Sequence, residues 1–135
     1  MLISELASLT GVKVSTVRFY ERRGLLPDPR RSEDGYRRYG EAHARRVRFL
    51  RRGQELGFAL GELAAVVAFS DEARAGTRPE VREQGRAKLV ELDRRIADLR
   101  RMRGALESVL DAWVLDPEDP CPIEDSLAQT RTPHA

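Results

Sequence analysis

The feature that most constrains the fold is a long, narrow apolar stripe in the second half of the chain. Residues 80–113 predict one continuous helix whose apolar side chains recur at alternating steps of three and four, with Arg103 taking one position. A helix of about 34 residues is roughly 50 Å long, more than the rest of the domain could cover. Such a helix gains little stability alone in water. We therefore expect its stripe to meet a second copy, with folding back on residues 1–69 as the alternative; the proposed contacts are Leu92, Ile96, Leu99, Leu106 and Leu110.

The N-terminal segment has the pattern of a helix-turn-helix. A short amphipathic helix with Ser4 as its N-cap is predicted first, followed by a turn at Thr10-Gly11-Val12. A helix-like run then extends from Val14 to Arg23 and stops at Gly24, and Ser15 is the candidate N-cap of this second helix. Two short helices joined by a turn with glycine are typical of DNA-binding domains.

Arginine and aromatic residues cluster in this second helix and again a little further on. The helix has Arg18, Phe19 and Tyr20, and Asp34-Gly35 precedes the run Tyr36-Arg37-Arg38-Tyr39. Asp-Gly favours a tight hairpin, so we predict a two-stranded wing. Arginine and tyrosine are suited to contacts with phosphates and base edges of a duplex.

Charge is distributed unevenly along the chain. Residues 1–53 contain 13 Lys/Arg and 6 Asp/Glu, whereas residues 54–135 contain 11 and 16. A solvated charged surface alone would not separate the signs in this way. A basic first part is expected of a nucleic-acid surface.

The ordered motifs ISELASLTGVKVSTVRFYERRGLL and RSEDGYRRY resemble the MerR family of bacterial transcription regulators. The resemblance implies a mainly α fold: a winged helix-turn-helix domain, a long antiparallel coiled-coil dimerisation helix and a short C-terminal loop. It also implies a homodimer on promoter DNA that bends and untwists an over-long spacer so that RNA polymerase can engage. Deformation of this kind costs about 1–6 kcal/mol.

Four regions follow from these patterns. Residues 1–69 form the DNA-binding domain, in which a helix pair over residues 41–69 supports the wing, and residues 70–79 form a linker. Residues 80–113 form the dimerisation helix, and residues 114–135 form the effector-type loop and tail.

We expect Leu56 and Phe58 in the core, a helix from Gly61 to Phe69, and His43 near DNA or solvent. The residues expected to contact DNA are Ser15, Thr16, Arg18, Tyr20, Arg31, Tyr36 and Arg37.

Cys121-Pro122-Ile123 resembles the C-terminal loop of metal-sensing members of this family. Those sensors hold soft metals with a pair of cysteines, but here Trp113 stands where the first would be, and Cys121 is the only cysteine. Residues 77–79, at the start of the long helix, have no cysteine either. We therefore expect no cofactor and disfavour a metal ion at Cys121. The candidate effector-binding residues are Arg78, Trp113 and Cys121. A small buried cysteine in a structural loop is the simpler interpretation.

Other functions are less well supported. The sequence contains no Ser-His-Asp order, phosphate loop or cluster of metal ligands, so we do not expect an enzyme. It has no signal-peptide pattern and no stretch of membrane-spanning length, so we expect a cytoplasmic protein without a membrane partner. The main prediction is a dimeric transcription regulator whose effector is unknown. Two alternatives remain open: a heavy-metal-responsive regulator that senses through Cys121, and a constitutive architectural DNA binder that has no effector.

Overall fold

A computed structural model of the chain describes residues 1–31, 35–76, 78–113 and 115–128, with the side chains of Arg30 and Arg31 left out. The chain divides into two compact units, residues 1–77 and 78–135. The first unit contains α1 (Ile3–Thr10), α2 (Val14–Arg22), β1 (Arg30–Arg31), β2 (Arg37–Arg38), α3 (Glu41–Glu55) and α4 (Leu60–Ala75). The second contains α5 (Pro79–Ala112) and α6 (Pro122–Ala128).

Helices α1 and α2 form the predicted helix-turn-helix. Gly11 ends α1 with φ +71°, and its N–H bonds the carbonyl of Ser8, which lets the chain reverse before α2. The predicted N-caps are wrong. The cap positions are Leu2 and Lys13, so Ser4 and Ser15 lie inside the first turns. The backbone N–H of Leu2 is instead bonded by the Glu5 carboxylate across 3.2 Å.

The wing is a two-stranded antiparallel sheet. Arg30 pairs with Arg38, and Arg31 pairs with Arg37. The predicted hairpin is therefore present, and this register leaves residues 32–36 between its strands, a longer connection than a tight turn; Asp34 itself lies outside the described residues. A wing with so few paired residues needs support from the helices, because isolated hairpins are marginal in water.

The core of the first unit lies where α1, α2 and α3 meet, with two residues of α4 packed against it. Leu6, Val17, Val47 and Leu50 are fully buried. His43 is also buried, which corrects the expectation that it faces DNA or solvent. Its Nδ1 accepts the N–H of Gly40 at 3.0 Å, and Nε2 lies 2.9 Å from the carbonyl of Pro27, which requires the proton on Nε2. Leu56, predicted to be core, is exposed, whereas Phe58 is partly buried.

Helix α4 continues to Ala75, beyond the predicted end at Phe69. Arg46 on α3 contacts this extension. Its guanidinium donates to the carbonyl of Leu25 at 2.8 Å and to Asp71 at 2.9 Å, so a residue expected in the linker is instead an α3–α4 contact. Gly53 on α3 allows the two helices to approach closely, since a Cβ atom there would overlap Cδ2 of Leu63.

Helix α5 is 34 residues long and contacts α6. Among its described residues only Val81 is buried. The predicted stripe lies open along its length, with Leu92, Ile96, Leu99, Leu106 and Leu110 between 38% and 63% exposed. None of the described helices combines the length and apolar content that a membrane span needs.

Candidate nucleic-acid interface

A groove of about 640 Å³ lies between the start of α1, the outer face of α2 and the wing strand β2. It brings together three of the predicted DNA-contacting residues, Arg18, Tyr36 and Arg37, from elements well separated in sequence. Arg22, which was not among the predicted contacts, joins them. The full lining is Leu2, Ile3, Ser4, Arg18, Glu21, Arg22, Tyr36, Arg37 and Tyr39.

The residues predicted to contact DNA differ in solvent exposure. Arg18 is exposed on α2, and Tyr36, just before β2, is 64% exposed. Ser15 is exposed and Thr16 half-buried, both in the first turn of α2, where helix N–H groups favour a phosphate. They do not line the groove. The Arg31 side chain lies outside what the structure describes.

Tyr20 is not at the surface, which contradicts its predicted DNA contact. Its side chain is 2% exposed, and its hydroxyl donates to Oε1 of Gln54 at 2.7 Å. Burial raises the pKa of the Tyr20 phenol, while the positive charge of Arg51 partly opposes that shift. The reason is helical spacing: Tyr20 lies three residues after Val17 and therefore shares its core-facing side. Phe19, one position back, points outward and is partly exposed, with Arg23 over its ring at 5.7 Å.

Glu21 is the acidic residue among those that line the groove. Its Oε2 lies 2.5 Å from Nη1 of Arg37, and its Oε1 accepts a short hydrogen bond from the Tyr39 hydroxyl. The pKa values of Arg37 and Tyr39 are both raised. The hydrogen bond with Tyr39 and the charge of Glu21 raise the pKa of Arg37, whereas burial, followed by the Glu21 hydrogen bond, raises the pKa of Tyr39. One carboxylate thus joins the last turn of α2 to the wing.

Sequence reasoning did not select Glu21 as a functional residue. The available signal was an acidic side chain directly after Arg18-Phe19-Tyr20 and before Arg22-Arg23, in an otherwise basic stretch. A carboxylate there is costly near a phosphate backbone unless a cation neutralises it. Arg37 supplies that cation, which the sequence separation of sixteen residues concealed.

The candidate effector residues all belong to the second unit. Arg78 is the N-cap residue of α5, and Trp113 is its C-cap residue, in the left-handed conformation with φ +57°. Trp113 is exposed and Cys121, just before α6, is half-buried. Since about 50 Å of helix separates Arg78 from Trp113, one chain cannot bring these two together.

Known proteins resemble this chain over nearly its full length. The family profile described as MerR HTH family regulatory protein matches residues 1–69, and that described as MerR, DNA binding matches residues 44–109. The HTH-type transcriptional regulator CueR of Escherichia coli O157:H7 is 36% identical over 129 residues, covering 95% of this chain and 94% of that protein. The mercuric resistance operon regulatory protein of Bacillus cereus is 37% identical, covering 93% and 95%.

A solved structure agrees with these sequence matches. The transcription regulator PbrR691 from Ralstonia metallidurans CH34, in complex with lead(II), aligns with a TM-score of 0.54 and 31% identity, covering 94% of this chain and 98% of that one. This chain therefore shares its fold over nearly its full length with a solved transcription regulator. The chain belongs to the MerR family of DNA-binding transcription regulators, and it is not an enzyme.

Proposed function

We propose that this regulator binds promoter DNA as a homodimer, with α2 and the wing of each protomer on the duplex. The observation that carries the proposal is the groove where Arg18 and Arg22 of α2 face Tyr36 beside the wing. An exposed helix with arginine and a neighbouring tyrosine provides both base-edge and phosphate contacts. The proposed contacts are Ser15, Thr16, Arg18, Arg31 and Tyr36, with Arg37 at the edge of the interface and Tyr20 excluded.

The proposed dimer joins the exposed stripes of two α5 helices. Five large apolar side chains recur at heptad spacing on one side of α5. Solvent exposure of so long a stripe is unfavourable, and pairing with an antiparallel copy would bury it. A dimer also places two DNA-binding units for two half-sites.

The proposed action on transcription is distortion of the promoter spacer. As the family resemblance implies, the dimer would bend and untwist an over-long spacer so that RNA polymerase engages both promoter elements. The elastic cost of about 1–6 kcal/mol is comparable with the stabilisation that a few good side-chain contacts to DNA provide. Because the target is chromosomal DNA, we place the protein in the cytoplasm.

Leu99→Asp tests the dimer. Burying an unpaired charge in the seam should yield monomers and abolish DNA binding, although the DNA-binding residues are unchanged. Val90→Asp is the matched control, because Val90 is exposed on the opposite side of α5 and should keep the dimer. Sedimentation of the wild type as a monomer at micromolar concentration would contradict the dimer, and so would a dimeric Leu99→Asp variant.

The effector remains a separate proposal. In a dimer of antiparallel α5 helices, Arg78 of one protomer would approach Trp113 and Cys121 of the other. Arg78 could then pair with an acidic residue of the loop, such as Asp116, Glu118 or Asp119, and replace a metal's charge. Alternatively, the exposed indole of Trp113 would bind an organic cation.

A metal-responsive regulator is the second candidate, favoured by the names of the relatives and by the position of Cys121 before α6. The donor set of one chain does not fit a soft metal held by a thiolate pair, because the chain has a single cysteine. Titration of Cu(I), Zn(II) and Hg(II) in chelator buffers, with transcription as the readout, separates the two. Tight binding that switches transcription and is lost in Cys121→Ser would establish the metal-responsive alternative, whereas equal behaviour of both proteins would favour Arg78 and Trp113.

A further inference from the structure

Two side chains, one in the wing and one just after it, contact α2 at the carboxylate of Glu21. Arg37 and Tyr39 lie two residues apart, so their side chains project to the same side of the wing. Both reach the Glu21 carboxylate, which is largely buried with 12% of its side chain exposed. Each oxygen of that carboxylate has its own wing partner. The contact therefore constrains both the distance and the rotation between α2 and the wing.

Tyr39 is the fixed end of this contact. Its backbone N–H donates to the carbonyl of Met1 at 2.8 Å, and its carbonyl accepts from the Met1 nitrogen at 2.7 Å. Its ring packs edge-on against His43, with centroids 5.2 Å apart. Arg37 is the free end, since half of its side chain is exposed at the groove.

We propose that Glu21 is a positioning residue for DNA recognition, and that Arg37 acts through it rather than as an independent phosphate ligand. The inference rests on the proposed DNA interface and assigns a role within it. The two paired strands of the wing are too short to hold their own orientation. The Glu21 contact supplies that orientation, so that Tyr36 and the wing contact the duplex at the same time as Arg18.

Removing the negative charge of Glu21 distinguishes this proposal from a direct contact between Arg37 and a phosphate. If Arg37 bound a phosphate by itself, Glu21 would only compete for it and repel the DNA, so Glu21→Gln should tighten binding. If Glu21 positions the wing, Glu21→Gln should weaken binding even though it removes a negative charge from the interface. The two accounts thus predict opposite signs for a single substitution.

The experiment measures affinity against salt for the tightest-binding genomic duplex recovered with the wild-type chain, using Glu21→Gln, Arg37→Gln and the double variant. We expect each single variant to lose roughly tenfold in affinity and the double variant to lose about the same, because both substitutions break one contact. The slope of affinity against salt should stay unchanged in Arg37→Gln and in the double variant, since Glu21 already neutralises the Arg37 charge in the wild type. Glu55→Gln on α3 is the control for charge alone and should bind as wild type or more tightly.

Two further measurements exclude loss of folding as the cause. The active fraction is determined by stoichiometric titration, and hydrogen exchange should accelerate at the wing amides of Glu21→Gln while the amides of α3 stay protected. Equal or tighter binding by Glu21→Gln would overturn the proposal. So would an Arg37→Gln variant whose salt slope falls by about one, the signature of a lost phosphate contact. Failure of the wild type to bind any duplex would instead refute the proposed function.

Discussion

The hydroxyl of Tyr20 donates a 2.7 Å hydrogen bond to Oε1 of Gln54, which ties the buried side of α2 to the end of α3. Tyr20→Phe should therefore leave DNA affinity unchanged and lower the free energy of unfolding by about 0.5–1.5 kcal/mol. Tyr36→Phe, which alters an exposed phenol in the groove, should weaken DNA binding. Binding titrations and denaturant unfolding of both variants check this. A Tyr20→Phe variant that folds normally but binds DNA as poorly as Tyr36→Phe would contradict the burial of Tyr20.

Arg18→Ala should weaken DNA binding by roughly 1–3 kcal/mol while the fold stays intact. Arg18 is exposed and lines the groove, so its guanidinium is placed to contact a base edge or a phosphate. The dependence on salt tells these apart, because loss of a phosphate contact lowers the slope by about one and loss of a base contact relaxes sequence preference. Arg74→Ala, on a different groove of the same unit, is the control. Equal affinity of Arg18→Ala and wild type would remove Arg18 from the interface.

Gly53→Ala should destabilise the first unit, although alanine is the better helix former. A Cβ atom at this position would overlap the buried Leu63 side chain and force α3 and α4 apart. We expect an overpacking cost of about 1–3 kcal/mol, which exceeds the helix-propensity gain of about 1 kcal/mol in most of that range. Gly61→Ala, on α4 with open space around it, should be neutral or stabilising. Thermal unfolding of the two variants makes the comparison, and a stabilised Gly53→Ala would show that the helix contact is looser than described.

Stability should fall in alkaline solution. The pKa values of Tyr20 and Tyr39 are raised above the ordinary value of about 10, mainly by burial. Between that value and the raised ones, the unfolded chain loses protons that the folded chain keeps, so the free energy of unfolding decreases as pH rises. Denaturant unfolding from about pH 8 to about pH 11 should show a steeper decline for wild type than for Tyr20→Phe or Tyr39→Phe. Parallel declines would mean that these phenols are not shielded.

Local patterns were sufficient to predict where most helices lie. Glycine ended α1 and periodic apolar residues marked α3, α4 and α5, because these signals act within one or two turns of helix. Side-chain partners distant in sequence were not predictable in the same way. The burial of Tyr20 follows from its spacing of three residues after Val17, but its hydrogen-bond partner Gln54 lies thirty-four residues away and no local pattern indicates it. The prediction ended α4 at Phe69, whereas the helix continues to Ala75 and contacts Arg46 of α3 through Asp71.

In the candidate site, too, local composition was predictable from the sequence and long-range side-chain contacts were not. The composition of α2 and of residues 36–39 predicted a basic, aromatic surface, and the groove brings Arg18, Tyr36 and Arg37 together. The role of Glu21 depends on two contacts that span sixteen and eighteen residues, which no local pattern encodes. The antiparallel partner of α5 and the effector remain predictions, since they depend on a second chain and on a ligand.

The central claim is that this chain binds promoter DNA as a dimer through α2 and the wing. It is tested most directly by sequencing the genomic fragments that the wild-type protein retains, with Arg18→Ala and Leu99→Asp processed in parallel. We predict enrichment of promoter fragments that share one motif with dyad symmetry, and loss of that enrichment in both variants. The claim would be contradicted if no fragment were enriched above the protein-free control. It would also be contradicted by an asymmetric motif that Leu99→Asp retains as well as wild type.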